Sequence, residues 1–162
     1  MKKSQPQAPF MTVDASTDGS PSAGREAHPD CIVCSPHHRC GFRLEFVLSD
    51  DGSVQARFDC GEAFEGYPGL LHGGVISALL DGAMTHCLFA HGQQGITGEL
   101  KIRFRHPVVT DRPAIVRAWI DRSIPPFHVL QAELIQDEWV KAKATGKFVE
   151  RAHFEAKRRQ AW

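Results

Sequence analysis

The chain has no surplus of charge and no apolar run of about 20 residues, and each absence argues against a class of function. Nineteen Lys and Arg residues balance 19 Asp and Glu residues over 162 positions. There is thus no electrostatic footprint for nucleic acid, no separate DNA-binding segment is visible, and no nucleic-acid partner is expected. No apolar stretch reaches the roughly 20 residues that span a bilayer, which predicts a soluble protein without a membrane partner. Residues 1–28 are rich in Ser, Pro, Gly, Asp and Gln and lack the apolar centre of a secretory signal, so they read as a tail and the chain as cytoplasmic. The Gly-x-Ser-x-Gly pattern of a nucleophilic serine is also absent, which leaves a serine-hydrolase route without support.

Cysteine is sparse, but three of the five lie close together: Cys31-x-x-Cys34 is followed by His37, His38 and Cys40. These are the ligand types of a zinc site, and a short Cys-x-x-Cys is also a redox pattern. Spacing argues against both. A zinc module splits two ligand pairs across a longer loop, and a redox Cys-x-x-Cys opens a helix, whereas this one precedes a strand. No metal is therefore assigned. Cys60 and Cys87 occupy apolar positions and read as core thiols.

What is present centres on Gly69-Leu70-Leu71-His72-Gly73-Gly74-Val75-Ile76-Ser77-Ala78-Leu79-Leu80-Asp81. Helix propensity explains Val75 to Ala90 well, but not why Asp81 interrupts the first turns, where an unpaired carboxylate is costly to bury. On a helix, Ser77, Asp81 and Thr85 form one polar stripe on a cylinder otherwise covered by Val75, Ile76, Leu79, Leu80, Ala83, Met84 and Leu88. A helix apolar nearly all round is a buried one. Its first backbone N–H groups, around Gly73 and Gly74, have no intrahelical partners and stand at the positive end of the helix dipole, where a carbonyl or oxyanion can dock. Taken singly, two glycines before a helix are a tight turn, His72 a capping residue and Asp81 a solvated acid; together they read as an active site.

Around this run the apolar period is two. Phe42, Leu44, Phe46 and Leu48, an Asp51-Gly52 turn, and Val54, Ala56, Phe58 and Cys60 predict a hairpin. A Gly- and Pro-containing loop over 61–71 leads into the helix, and after Gly92 the alternation resumes at Leu100, Ile102 and Phe104. Three more strands are expected over about 114–121, 127–136 and 139–151; the last has Val140, Ala142, Ala144, Gly146 and Phe148 on one face. Small residues facing inward let something thick approach. One long apolar helix with five or six half-buried antiparallel strands predicts an α+β fold in which a curved sheet wraps around the helix.

The order of hairpin, loop, His72-Gly73-Gly74, buried helix and four strands, with an acid nine positions after the His, resembles the PaaI-like acyl-CoA thioesterases of the hotdog-fold superfamily. The resemblance covers about 31–151, strongest in Gly66-Tyr67-Pro68-Gly69-Leu70-Leu71-His72-Gly73-Gly74 and Leu79-Leu80-Asp81-Gly82-Ala83-Met84. It divides the chain into a tail over 1–28, a hotdog domain over 29–151 and a C-terminal tail over 152–162. It implies hydrolysis of an acyl-CoA or aryl-CoA thioester without a cofactor. Gly73 would polarise the thioester carbonyl, with Gly74 beside it, and His72 would hold the turn. Asp81, supplied across a homodimer interface or within a dimer of dimers, would activate water or attack directly. Thr97 would position the water. Gly66 stands where several relatives place an Asn, in a substrate-positioning role, and Gly82 stands where many carry a second carboxylate.

Chemistry agrees with the resemblance. Thioester hydrolysis builds negative charge on the carbonyl oxygen, which a preorganised N–H stabilises by roughly 3–4 kcal/mol. A carboxylate lifted in pKa by an apolar helix is a better base near neutrality. Arg103, Arg105 and His106 end the strand after the helix; they are candidates for the phosphates of coenzyme A, against the commoner reading of a solvated face. Lys157, Arg158 and Arg159 are open to the same two readings. The other function class is a non-catalytic hotdog module that binds acyl-CoA as a sensor; a hydratase would need a His and an acid placed differently.

Overall fold

The computed structural model describes residues 29–160. The tail expected over 1–28 and positions 161–162 lie outside the described residues. In chain order the elements are β1 (Val47–Leu48), β2 (Val54–Phe58), a 3-10 turn (Glu62–Phe64), β3 (Glu65–Tyr67), β4 (Leu70–Leu71), α1 (Gly73–Ala90), β5 (Gly95–Phe104), β6 (Ala114–Ile124), β7 (Phe127–Gln136), β8 (Trp139–Glu150) and α2 (Arg151–Gln160). A six-stranded sheet in the order β1-β2-β6-β7-β8-β5 is antiparallel throughout, and β3 and β4 form a separate two-stranded piece. This is the hotdog arrangement that the sequence predicts.

The core sits between the concave face of the sheet and α1. Leu79, Leu80, Ala83, Met84, Cys87 and Leu88 have no exposed surface. They meet the inward residues of β7 (Leu130, Ala132, Leu134) and of β8 (Ala142, Ala144, Phe148). Gly146 shows why the inward face of β8 is small: a Cβ there would lie 2.9 Å from the Met84 Sδ and 2.6 Å from Phe148. Truncating Leu79 or Leu80 to Ala, with no room for collapse, costs about 2–5 kcal/mol. Burial also pushes the Cys60 and Cys87 thiols up to about 11, as expected of core thiols.

Four expectations need correction. Residues 42–46 are not strand: the Phe42 and Leu44 N–H groups bond the Ile32 and Val33 carbonyls, so this stretch packs on the Cys31–Cys34 segment and only Val47–Leu48 pairs with β2. β5 begins at Gly95, earlier than its apolar alternation, because a register shift between Thr97 and Glu99 interrupts the period. Residues 151–160 form a helix rather than a tail. Finally, α1, with 18 residues, is long and apolar enough to cross a bilayer, contrary to the reading of the sequence; 56% of it is buried, which accounts for its composition as a core helix.

Candidate active site

The start of α1 is pinned from several sides. The His72 N–H donates to the Phe64 carbonyl at 2.9 Å, and the His72 carbonyl accepts from Val75 and Ile76 at 3.0 and 3.1 Å. The ring completes the cap, since its Nδ1 accepts the Gly74 N–H at 2.9 Å. Glu65 fastens the loop before it, accepting from the Gly69 N–H at 2.9 Å and from the Thr110 hydroxyl at 2.8 Å. His72 therefore holds the turn. Gly74 is engaged by that cap, and the Gly73 N–H is the donor without a partner among the described residues.

The glycines of this region separate by what a side chain would meet. At Gly74 a Cβ would lie 3.0 Å from the His72 Nδ1, and at Gly66 it would lie 3.1 Å from the His72 Cδ2 and 3.3 Å from its Cα. At Gly82 it would sit 2.6 Å from a Val33 methyl. Packing alone explains these three. Gly73 is different, because a Cβ there would meet only the Phe104 ring at 3.7 Å, an ordinary contact. Packing therefore does not require glycine at 73.

Asp81 stands two turns further along α1, with a half-buried side chain whose Oδ1 accepts the Thr97 hydroxyl at 2.8 Å. Burial lifts its carboxyl above the ordinary range, and the Thr97 bond opposes part of that rise. Ser77 and Thr85, the rest of the stripe, turn their hydroxyls back onto the Gly73 and Asp81 carbonyls at 2.8 and 3.1 Å. Asp81 thus keeps its second oxygen uncommitted. Eight residues at 1.5 Å each separate it from Gly73 along the helix, about 12 Å. One chain therefore unites Asp81 with Thr97 but holds the Gly73 donor apart from them.

Residues 68–138 match the thioesterase superfamily. That stretch, under half of the chain, runs from the loop before α1 through β7, and the fold around it is the hotdog fold of the thioesterases it resembles. It is 26% identical to the acyl-coenzyme A thioesterase THEM4 of Bos taurus over 114 residues, covering 67% of this chain and 47% of THEM4, so it spans about half the length of that relative. Among solved structures it resembles a thioesterase, phenylacetic acid degradation-related, of Ralstonia eutropha, with TM-score 0.62, 24% identity and coverage of 70% and 89% of the two chains. It likewise resembles a thioesterase protein of Streptococcus pneumoniae solved with coenzyme A, with TM-score 0.62, 19% identity and coverage of 67% and 88%.

The remaining candidates lie apart from Asp81 in the sequence and on the surface. Arg103, Arg105 and His106 are exposed at the end of β5, where the Arg105 and His106 N–H groups bond the Lys141 carbonyl at 2.8 and 3.1 Å. The sequence did not point to Phe104, which is 53% exposed and is the nearest side chain to Gly73; only the pairing of strand and helix reveals it. Among the described residues no three His, Cys, Asp or Glu side chains converge on a site that could hold a metal ion.

Proposed function

We propose that the protein hydrolyses acyl-CoA or aryl-CoA thioesters, at a site formed by the Gly73 N–H of one subunit and Asp81 of a second. The observation that carries this reading is the half-buried Asp81 carboxylate, raised in pKa, held by Thr97 through one oxygen and free at the other. The coenzyme A bound by the Streptococcus pneumoniae neighbour supports the substrate class.

The thioester oxygen takes the Gly73 N–H, at the positive end of α1. Asp81 accepts a proton from water through its free oxygen as the water oxygen bonds to the thioester carbon. The tetrahedral oxyanion then collapses, the carbon–sulfur bond breaks, and the departing thiolate takes the proton from Asp81. Direct attack by the carboxylate, through an anhydride that water opens at the Asp81 carbonyl carbon, gives the same products; label in Asp81 after a single turnover in ¹⁸O-water identifies that route.

The edge of the sheet supports the dimer of this proposal: β5 is ten residues long and, among the described residues, pairs only with β8, so that its other side can take a second copy. Two copies pairing antiparallel about the midpoint of β5 set residue 95 against 104 and Thr97 against Ile102. The partner's Thr97 and Asp81 then stand within two residues of Phe104, the side chain that borders Gly73. Each dimer holds two such sites.

The test is a panel of acyl-CoA substrates with the unaltered protein, followed by mixing of two inactive variants. Asp81→Asn and Gly73→Val should each be inactive alone, and reassembled together they should recover about a quarter of the original activity, from the one intact site of each mixed dimer. An active monomer in sedimentation, or mixtures as dead as their components, would overturn the shared site. Binding of acyl-CoA with no hydrolysis by the unaltered protein would establish the sensing module instead.

A further inference from the structure

A second concavity lies on the outer face of the sheet, away from α1, with a volume of about 430 Å³. This is within the range of about 300–1,000 Å³ usual for small-molecule sites. Its walls combine aromatic rings and cations: Phe127 and Phe154 stand on opposite elements, β7 and α2, with Val149 in the floor and Lys147, His153 and Lys157 around them. Phe127 is 58% exposed and Phe154 43%, although large apolar rings serve the core poorly there. Lys147 is neutralised by Glu99, at 2.9 Å, whereas Lys157 makes no ion pair among the described residues. Arg158 and Arg159 continue the positive charge along α2.

We propose that this groove binds the nucleotide end of coenzyme A, the adenine lying against Phe127 and Phe154 and the phosphates meeting Lys157 and the neighbouring cations. Flat apolar rings accept a base by stacking, and lysines bind phosphate as point charges. Position supports the assignment. Gly98 lines the groove and follows Thr97 directly, at the point where β5 shifts register against β8, so the groove and the Asp81–Thr97 pair lie on the two sides of one short stretch of β5. A long, flexible pantetheine arm can connect them around the strand. The proposal rests on the thioesterase reading for its ligand, and it gives α2, which lies beyond the part of the chain that matches the superfamily, a role in substrate selection.

The experiment uses adenosine 3′,5′-bisphosphate as a probe, with ADP as the analogue lacking the 3′-phosphate. The full chain should bind the bisphosphate more tightly than ADP. Lys157→Gln and Phe154→Ala should each weaken bisphosphate binding about tenfold. The same variants should lower, by a similar factor, the ratio of kcat/KM for acyl-CoA to that for the acyl-N-acetylcysteamine thioester, which has no nucleotide. Lys157 is exposed and Gln is a good helix former, so that variant keeps its fold. Bisphosphate affinity and the ratio both unmoved in Lys157→Gln would overturn the groove while leaving hydrolysis standing. Affinity that depends on Lys157 in a protein that hydrolyses no acyl-CoA would keep the groove and overturn the hydrolase reading. Co-sedimentation with anionic phospholipid vesicles and no affinity for the bisphosphate would also overturn the groove, assigning α2 to a lipid surface.

Discussion

Asp51 and Asp81 are the same side chain in opposite surroundings. Asp51, in the turn between β1 and β2, accepts from the Ser53 N–H at 3.0 Å and the Ser53 hydroxyl at 2.6 Å, and pairs with Arg117. Arg117 in turn bonds the Ser53 hydroxyl and lies 5.8 Å from the Trp119 ring centre. These donors, Ser53 foremost, hold the Asp51 carboxyl below the ordinary range. Asp81 has one donor, Thr97, and its burial raises it. A fully satisfied carboxylate secures a turn; an under-satisfied one remains basic enough to take a proton. Counting donors around each acid separates the two surroundings better than the residue type does.

The strongest break in this contrast is Asp81→Asn, which should lower turnover by about 10²–10⁴, the range of a lost general base. The fold should not suffer. A carboxyl raised on folding favours the neutral form, so its contribution to stability is present at low pH and declines as pH rises from the ordinary carboxylate range through the raised value. Replacing it with a neutral amide should therefore leave the melting temperature at pH 7.5 equal or higher. A clear fall in melting temperature would mean that the charge is structural.

Next in size is Gly73→Ala, expected to reduce kcat/KM by about 10²–10³ if the substrate carbonyl approaches that N–H closely. Because the added Cβ would be 3.7 Å from Phe104, thermal stability should hold. Gly74→Ala should do the reverse, disturbing the His72 cap at 3.0 Å and costing stability. If both variants lose only stability, Gly73 belongs to the turn and not to the chemistry.

Thr97→Val sharpens the comparison further by stripping Asp81 of its donor. Since Thr97 holds the carboxyl down, its loss should move the acid limb of the kcat/KM profile to higher pH and cut activity about tenfold at pH 6, with less effect at pH 9. An unshifted limb would remove Asp81 as the titrating group. The smallest effect is expected for Asp51→Asn, on an acid whose side chain is 56% exposed: a drop in melting temperature of about 2 °C or less at pH 7, with unchanged turnover. The contribution of Asp51 is present above the ordinary carboxylate range and is lost as pH falls through its lowered value, so the variant and the original should converge only below that range.

Much of this architecture could be read from the chain because its signals are periodic. β7 has the predicted ends, 127 and 136, since its buried residues alternate without interruption. The end of α1 also agrees, as does the small inward face of β8. Failures cluster where a local pattern competes with a distant contact. Phe42 and Leu44 alternate as a strand would, yet their backbone finds partners at Ile32 and Val33. The start of β5 was hidden by the bulge at Thr97, and α2 by the resemblance ending before it. In the candidate site, Asp81, His72 and Gly73 were legible from composition against the apolar run. Thr97 came only through the resemblance, as a residue to position water, and its bond to Asp81 appears only in the structure. Phe104 and the groove under α2 carry no local signal, because both arise from elements brought together by the sheet.

Val33 and Gly82 form a size-matched pair: the valine of the Cys31–Cys34 segment fills the space that a side chain at 82 would occupy, with a methyl 2.6 Å from the Cβ position. Position 82 is where the resemblance places a second acid. Acquiring that acid therefore demands two exchanges in a fixed order, trimming at 33 before growth at 82, since the reverse order passes through a crowded and poorly folding intermediate. This contact couples the Cys31–Cys34 segment to α1, so that positions 33 and 82 are expected to change in step.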